Sequence, residues 1–197
     1  MSISYGMYIY DNVANLDYIG AHEAFGISLY LLGEGKLFTV AEDARPIASA
    51  TGLQVLPDYT FENAPDVDVL LVPGAMDLGS ALKSTKALSW IKKVSQTAKY
   101  TTAVCTGALI LQKAELLKNK KATTHWQLIP ELQKDESVTV LPDMRYVRDG
   151  NIVTAQGVSA GIDMALWLLG QLHTHDHARE VRRILQYDPA PPYTAEV

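Results

Sequence analysis

Short, nearly unbroken apolar runs alternate along the chain with longer stretches in which apolar residues recur every three or four positions, a pattern of strands followed by helices. Ser4–Tyr10, rich in tyrosine and isoleucine, reads as a first strand closed by the turn pair Asp11-Asn12. A helix is predicted to begin at Asn15 to Asp17. Leu37–Ala41 reads as a second strand, and Pro46–Tyr59, with Thr51-Gly52 at its centre, as an inserted hairpin. Val67–Val72 is aliphatic almost throughout and stops at Pro73-Gly74, as expected for a strand buried on both faces of a parallel sheet. Thr85–Lys99 places Leu88, Ile91 and Val94 at three-residue steps among lysines, an amphipathic crossover helix.

Tyr100–Val104 is again short and β-branched, and it gives way at Cys105-Thr106-Gly107 to Ala108-Leu109-Ile110-Leu111. A strand therefore stops at the cysteine and a helix starts. A strand is predicted near Lys121–Thr124, a weak helix over Trp126–Lys134, and a hairpin over Tyr146–Ala155 turned by Asp149-Gly150. Two helices follow: Ser159–His173, apolar on most faces and hence central, and Asp176–Tyr187, with Asp176 as its N-cap. Pro189–Pro192 reads as an extended tail. The alternation predicts an α/β fold, a doubly wound and mostly parallel sheet between helices with a β-hairpin insertion. No repeat or linker divides it, so residues 1–197 are expected to form a single domain.

Composition narrows the function classes. A chain of 197 residues can bury roughly 70% of its unfolded surface in one core. Its net charge is −5, and its basic residues cluster only as pairs such as Lys92-Lys93 and Lys120-Lys121, which argues against a nucleic-acid groove. A small-molecule partner fits better. The first basic residue is Lys36 and the longest apolar run is Met164–Leu169, so neither a signal peptide nor a membrane span is expected. Cys105 is the single cysteine, which excludes an internal disulfide and favours a reducing, cytoplasmic setting.

That cysteine sits beyond the carboxyl end of a strand, where reactive groups collect in open parallel sheets. A helix starting at Gly107 presents N–H groups toward it and is expected to favour thiolate. Asp17 opens the first helix over the same sheet edge; it either caps that helix or faces Cys105, where burial and a thiolate would keep it protonated. Backbone N–H groups of Gly74 and Ala75 offer an oxyanion-type hole or simply an ordinary turn. His125 follows a strand end as a base or, better, a hydrogen-bonded loop residue. Tyr18, Trp126 and Val158 flank element ends and are pocket-lining candidates, although such residues are more often core. His173, His175 and His177 alternate, but at that spacing they do not share a helix face, so a solvated turn is expected rather than a metal site.

Several segments together carry a family resemblance: Leu16-Asp17 with Gly20, Val72-Pro73-Gly74, Val104-Cys105-Thr106-Gly107-Ala108, Lys121-Ala122-Thr123-Thr124-His125-Trp126, Arg148-Asp149-Gly150-Asn151, Ser159-Ala160-Gly161-Ile162-Asp163 and Tyr187-Asp188-Pro189-Ala190-Pro191-Pro192. Over nearly its whole length the chain resembles the isonitrile hydratases of the ThiJ/PfpI superfamily. The cysteine elbow and the Thr-Thr-His-Trp block are shared with the amidotransferase-like domains of some AraC-type regulators; Leu16-Asp17 and the proline-rich ending are closer to the hydratases. No DNA-binding helices are expected after Val197.

The resemblance implies a flavodoxin-like sandwich, a homodimer packed near the active site, and no metal or organic cofactor. It also implies Cys105 as nucleophile, Asp17 as acid/base partner and Thr106 as a supporting hydroxyl. The implied reaction hydrates an isonitrile to an N-substituted formamide through a cysteine thioimidate, with Asp17 neutral at the first step and Gly74 and Ala75 N–H groups binding negative charge. One departure is Ala75, where the hydratases usually have glycine: its methyl group makes left-handed backbone costly there. Three other readings of the same thiol stay open. They are a glyoxalase- or deglycase-like enzyme acting on reactive aldehydes, an amidase or peptidase whose usual histidine is replaced by Thr106, and a non-enzymatic redox sensor.

Overall fold

The computed structural model describes residues 2–189. Strand β1 (Ser4–Tyr8) leads through Val13-Ala14 into helix α1 (Asn15–Leu32), which Gly33 closes in a left-handed conformation at φ 68° with its N–H on the Leu29 carbonyl. Then come β2 (Lys36–Ala41), the edge strand β3 (Tyr59–Thr60), the buried β4 (Val69–Val72), and helices α2 (Gly79–Lys83) and α3 (Thr85–Ser95). Strand β5 (Tyr100–Val104) and α4 (Gly107–Lys113) flank the cysteine. The chain continues through the short α5 (Ile129–Leu132), the hairpin β6 (Tyr146–Asp149) and β7 (Ile152–Ala155), and helices α6 (Ala160–Leu172) and α7 (His175–Leu185).

The sheet order is β6-β7-β5-β4-β1-β2-β3, parallel except for the β6–β7 hairpin. Winding proceeds from β1 to β2 on one side and then from β4 outward on the other, so the order reverses between β1 and β4. Crevices open at such a reversal, beyond the carboxyl ends of the strands. The residues following β1, β4 and β5 are those singled out for chemistry. Helices α1, α6 and α7 pack together as one group and α2, α3 and α4 as another. Leu70, Leu71, Ile110 and Met164 are fully buried within the shared core.

The doubly wound sheet and the inserted hairpin agree with the sequence pattern; Ile47–Ala48 pairs antiparallel with Gln54–Val55. Other boundaries move for identifiable reasons. Tyr59, expected in that hairpin, instead pairs parallel with Val40 at the sheet edge. Lys121–Thr124 yields only the pair Lys121–Ala122, bonded to Thr139–Val140 outside the main sheet. Helix α3 stops at Ser95, because the Thr97 and Ala98 N–H groups both turn back onto Val94 and the chain needs those residues to reach β5. The weak helix opens as a 3-10 turn over Trp126–Leu128. The cap of α7 is Thr174, whose hydroxyl accepts the His177 N–H; Asp176 lies inside the first turn. From Ala190 onward the expected tail lies outside the described residues.

Candidate active site

Cys105 leaves β5 in the left-handed region, φ 57°. Its N–H is shared between the carbonyls of Ala155 at 3.2 Å and Gln156 at 3.0 Å, and its own carbonyl accepts the Thr124 hydroxyl at 2.8 Å. A non-glycine residue held this way costs about 1–3 kcal/mol and persists only where surrounding bonds over-determine it. Gly107 is required two residues later, because a Cβ there would lie 2.2 Å from the Val72 carbonyl oxygen. The elbow therefore presses against the end of β4.

The turn after β4 is saturated with bonds. Gly74 donates its N–H to Asp17 Oδ2 at 2.9 Å, and its carbonyl accepts the Ala14 N–H at 2.9 Å. Ala75 donates its N–H to Thr106 Oγ1 at 2.9 Å while the same hydroxyl donates to the Ala75 carbonyl at 2.8 Å. This corrects the expected anion hole: both amides already have partners, and they hold Asp17 and Thr106 in place. Thr106 likewise is committed to Ala75. A Cβ on Gly74 would stand 2.4 Å from Thr106 Oγ1 and 2.9 Å from Asp17 Oδ2. Neither Gly74 nor Ala75 has a positive φ, so the strain expected of alanine does not arise.

The donors aimed at the sulfur are the N–H groups of Thr106 and Val158. Val158 reaches that position at φ 46°, left-handed backbone for a β-branched residue. Its contribution is thus an amide, and the residue is otherwise exposed. Burial is the largest influence on Cys105 and, with the nearby Asp17 charge, pushes the thiol up to about 12 despite those two amides. That corrects the expectation of a resting thiolate: burial outweighs a helix of one or two turns. Burial also raises the Asp17 carboxyl, to about 6, against the lowering effects of the Gly74 N–H and the Cys105 thiol. Asp17 is completely buried, and its Oδ1 has no partner in hydrogen-bonding geometry although the thiol acts on the carboxyl. Burial thus disfavours the charged form of both groups, and each acts on the other.

Tyr10 completes the surroundings and was not foreseen. Its hydroxyl donates to the Pro73 carbonyl at 3.0 Å, and burial first, then Tyr8, Asp17 and Cys105, raise the phenol. It closes the run read from sequence as the first strand, two residues beyond the end of β1, and the pattern offered no sign that its hydroxyl faces the site. Thr124 is the other addition. Of the remaining candidates, His125 caps the 3-10 turn by accepting the Gln127 N–H and rests on Gly157, where a Cβ would lie 2.3 Å from its ring. Trp126 is exposed beside it, whereas Tyr18 is 3% exposed and belongs to the core. The alternating histidines are not a solvated turn: His177 Nε2 lies 2.7 Å from Ser28 Oγ, and His173 Nε2 lies 3.4 Å from the Tyr5 hydroxyl. A cleft of about 840 Å³, lined by Arg145, Asp163, Trp167 and Arg182 among others, opens between α6 and α7 and does not include Cys105.

Residues 6–171 match the DJ-1/PfpI family. The chain belongs to that family. Among curated DJ-1/PfpI relatives, an isonitrile hydratase of Pseudomonas putida is 39% identical over 196 residues, covering 98% of this chain and 82% of that one. The helix-turn-helix transcriptional regulator GbdR of Pseudomonas aeruginosa is 25% identical over 187 residues, and the chain spans about half of its length, 51%. Among solved structures, a ThiJ/PfpI family protein from Pseudomonas syringae superposes with a TM-score of 0.89 at 34% identity, covering 100% of this chain and 80% of that one. The flavodoxin-like architecture is thus that of the DJ-1/PfpI family. Among the described residues no helix is long and apolar enough to cross a membrane.

Proposed function

We propose that the protein hydrates isonitriles to N-substituted formamides, with Cys105 as nucleophile and Asp17 as the group that carries its proton. The observation that carries this reading is the buried pairing of the Cys105 thiol with the Asp17 carboxyl, which the Gly74 N–H holds at 2.9 Å. The similarity to the Pseudomonas putida isonitrile hydratase over nearly the whole chain supports the substrate class.

The terminal carbon of an isonitrile accepts a nucleophile and a proton on the same atom, so a thiol and its carboxylate partner are matched to it. Asp17 takes the thiol proton as sulfur bonds to carbon, then returns it to that carbon, leaving the thioimidate R–N=CH–S–Cys105. The carboxylate next takes a proton from water as hydroxide adds to the thioimidate carbon. Nitrogen receives that proton, the C–S bond breaks, the carbonyl forms, and sulfur regains a proton. The sum is isonitrile plus water giving R–NH–CHO. Thiol, carboxyl and water balance every step, so the chemistry asks for neither metal nor organic cofactor. The Thr106 and Val158 N–H groups bear the negative charge that develops on sulfur; Gly74, Ala75 and the Thr106 hydroxyl hold Asp17 and the elbow in register.

The enzyme acts as a single domain over residues 1–197, in a reducing cytoplasm that suits one unpaired cysteine, and as a homodimer. Leu16, Met76, Trp126 and Val158 support the last point: all are exposed, Met76 at 97%, each next or close in sequence to a residue of the site, and a second copy laid there would cover them. Light scattering on the purified chain tests the dimer. Mixing the reduced protein with an aryl isonitrile and following formamide tests the reaction: steady formamide production, abolished in Cys105→Ser, is expected. A folded, reduced protein inert toward several isonitriles, or one that makes lactate from methylglyoxal faster than formamide, overturns it.

A further inference from the structure

The amide that Val158 turns toward the sulfur belongs to the link between β7 and α6, and one side chain grips that link. Arg145, the residue before β6, accepts the Gln156 N–H on its carbonyl at 3.0 Å, and the Gln156 carbonyl in turn accepts the Cys105 N–H at 3.0 Å. The Arg145 guanidinium then reaches past the link: Nε donates to Asp163 Oδ2 at 2.7 Å and Nη2 to Ser159 Oγ at 3.0 Å. The main chain of Arg145 thus fixes the start of the link and its side chain fixes the first turn of α6. Val158 lies between the two grips, in a backbone conformation that a β-branched residue holds only under constraint. The ion pair is partly exposed, and such pairs contribute little to global stability. Its geometry is better matched to orienting two specific acceptors than to holding the fold together.

We infer that Arg145 is a positioning residue, its guanidinium bracing Ser159 and Asp163 so that the Val158 N–H stays directed at the Cys105 sulfur. This rests on Cys105 being the reactive group, and the test separates the two, because alkylation by iodoacetamide reports on the thiol whether or not isonitriles are substrates. Asp17 and Tyr10 also face the sulfur and Tyr187 faces the Arg145–Asp163 pair; none of them is altered in the variants.

The measurement is the rate of Cys105 alkylation against pH in wild type, Arg145→Ala, Arg145→Lys and Ser159→Ala, each checked by thermal melting. Loss of the bracing amide should move the profile of Arg145→Ala to higher pH and slow alkylation about tenfold at pH 8 (one pH unit). Arg145→Lys, which keeps a cation but not two directed contacts, should lie between. Ser159→Ala removes a single contact, shifts the same way by less, and serves if Arg145→Ala does not fold. On aryl isonitrile, kcat should fall with KM little changed. Alkylation profiles of folded variants that superpose on wild type overturn the inference.

Discussion

The Gly74 N–H donates to Asp17 Oδ2 at 2.9 Å, so the carboxyl that acts on the Cys105 thiol is aimed by the turn after a different strand. Three chain segments distant in sequence are thereby locked together: the start of α1 supplies the carboxyl, the end of β4 orients it, and the end of β5 supplies sulfur. Thr106 closes the triangle by bonding the Ala75 amide and carbonyl. The parallel sheet makes this possible because all three strands end at one edge.

Gly74→Ala should break that arrangement. The added methyl carbon would be 2.4 Å from Thr106 Oγ1, 2.6 Å from the Thr106 nitrogen and 2.9 Å from Asp17 Oδ2, and two of these three atoms belong to short, rigid parts of the site. Overpacking of this kind costs about 1–3 kcal/mol, and displacement of Asp17 by about 1 Å should lower formamide production on the order of a hundredfold. Urea unfolding and steady-state turnover measure the two effects. Wild-type turnover would show that the turn does not set the position of Asp17.

Asp17→Asn separates charge from shape. The folded-state carboxyl, near 6, lies above its ordinary value of 3.8, so the folded protein binds this proton more tightly than the unfolded chain does. The resulting stabilisation is complete below about pH 4 and is lost as pH rises through 6, a difference of about 3 kcal/mol for two pH units. The Asn variant should lack that loss: its stability should fall less than that of wild type between pH 4 and 7. Its Cys105 thiol, relieved of a neighbouring negative charge, should alkylate at lower pH than wild type, yet hydration should drop by about 10²–10⁴ because no group carries the proton. Equal turnover would remove Asp17 from the chemistry.

Sequence pattern reveals the elbow because a β-branched run, Tyr100–Val104, meets an apolar helical run within three residues. The same holds for β4, whose burial on both faces leaves an unbroken aliphatic stretch. What the pattern conceals is set by tertiary partners. Two-residue strands such as Tyr59–Thr60 and Thr139–Val140 have no periodicity of their own and exist through the backbone beside them. Val158 is a β-branched residue in left-handed backbone, so local preference argues against the conformation that directs its amide. The N–H groups of Gly74 and Ala75 are reported by sequence only as present; which atoms they meet depends on α1 and α4. The thiol's proton affinity follows the same logic, since the helix start is a local feature and burial, the larger influence, is not.

Thr106→Val tests the clasp between elbow and turn. Valine keeps the side-chain shape but leaves the buried Ala75 N–H and carbonyl without the hydroxyl that serves both. Orphaning buried groups costs about 1–3 kcal/mol each, so a loss of about 2–6 kcal/mol is expected in urea unfolding. Turnover should fall as well, with Thr106→Ser recovering most of both. A valine variant as stable as wild type would mean that the turn finds other partners.

The cap of α7 gives a prediction confined to stability. Thr174 accepts the His177 N–H at 3.1 Å from an extended backbone position, as an N-cap should, while Asp176 is exposed within the first turn and pairs with Arg179. Thr174→Ala should therefore destabilise the protein by about 1 kcal/mol, and Asp176→Ala by less, since it loses only a favourable charge near the helix start and an exposed i,i+3 pair. Thr174 lies at the far end of α6 from Val158, so the alkylation profile of Cys105 should be the same in both variants. If Asp176→Ala proves the more damaging in thermal melts, the cap has been assigned to the wrong residue, and the hydrogen bond between His177 and Ser28 would then have to orient this helix without Thr174.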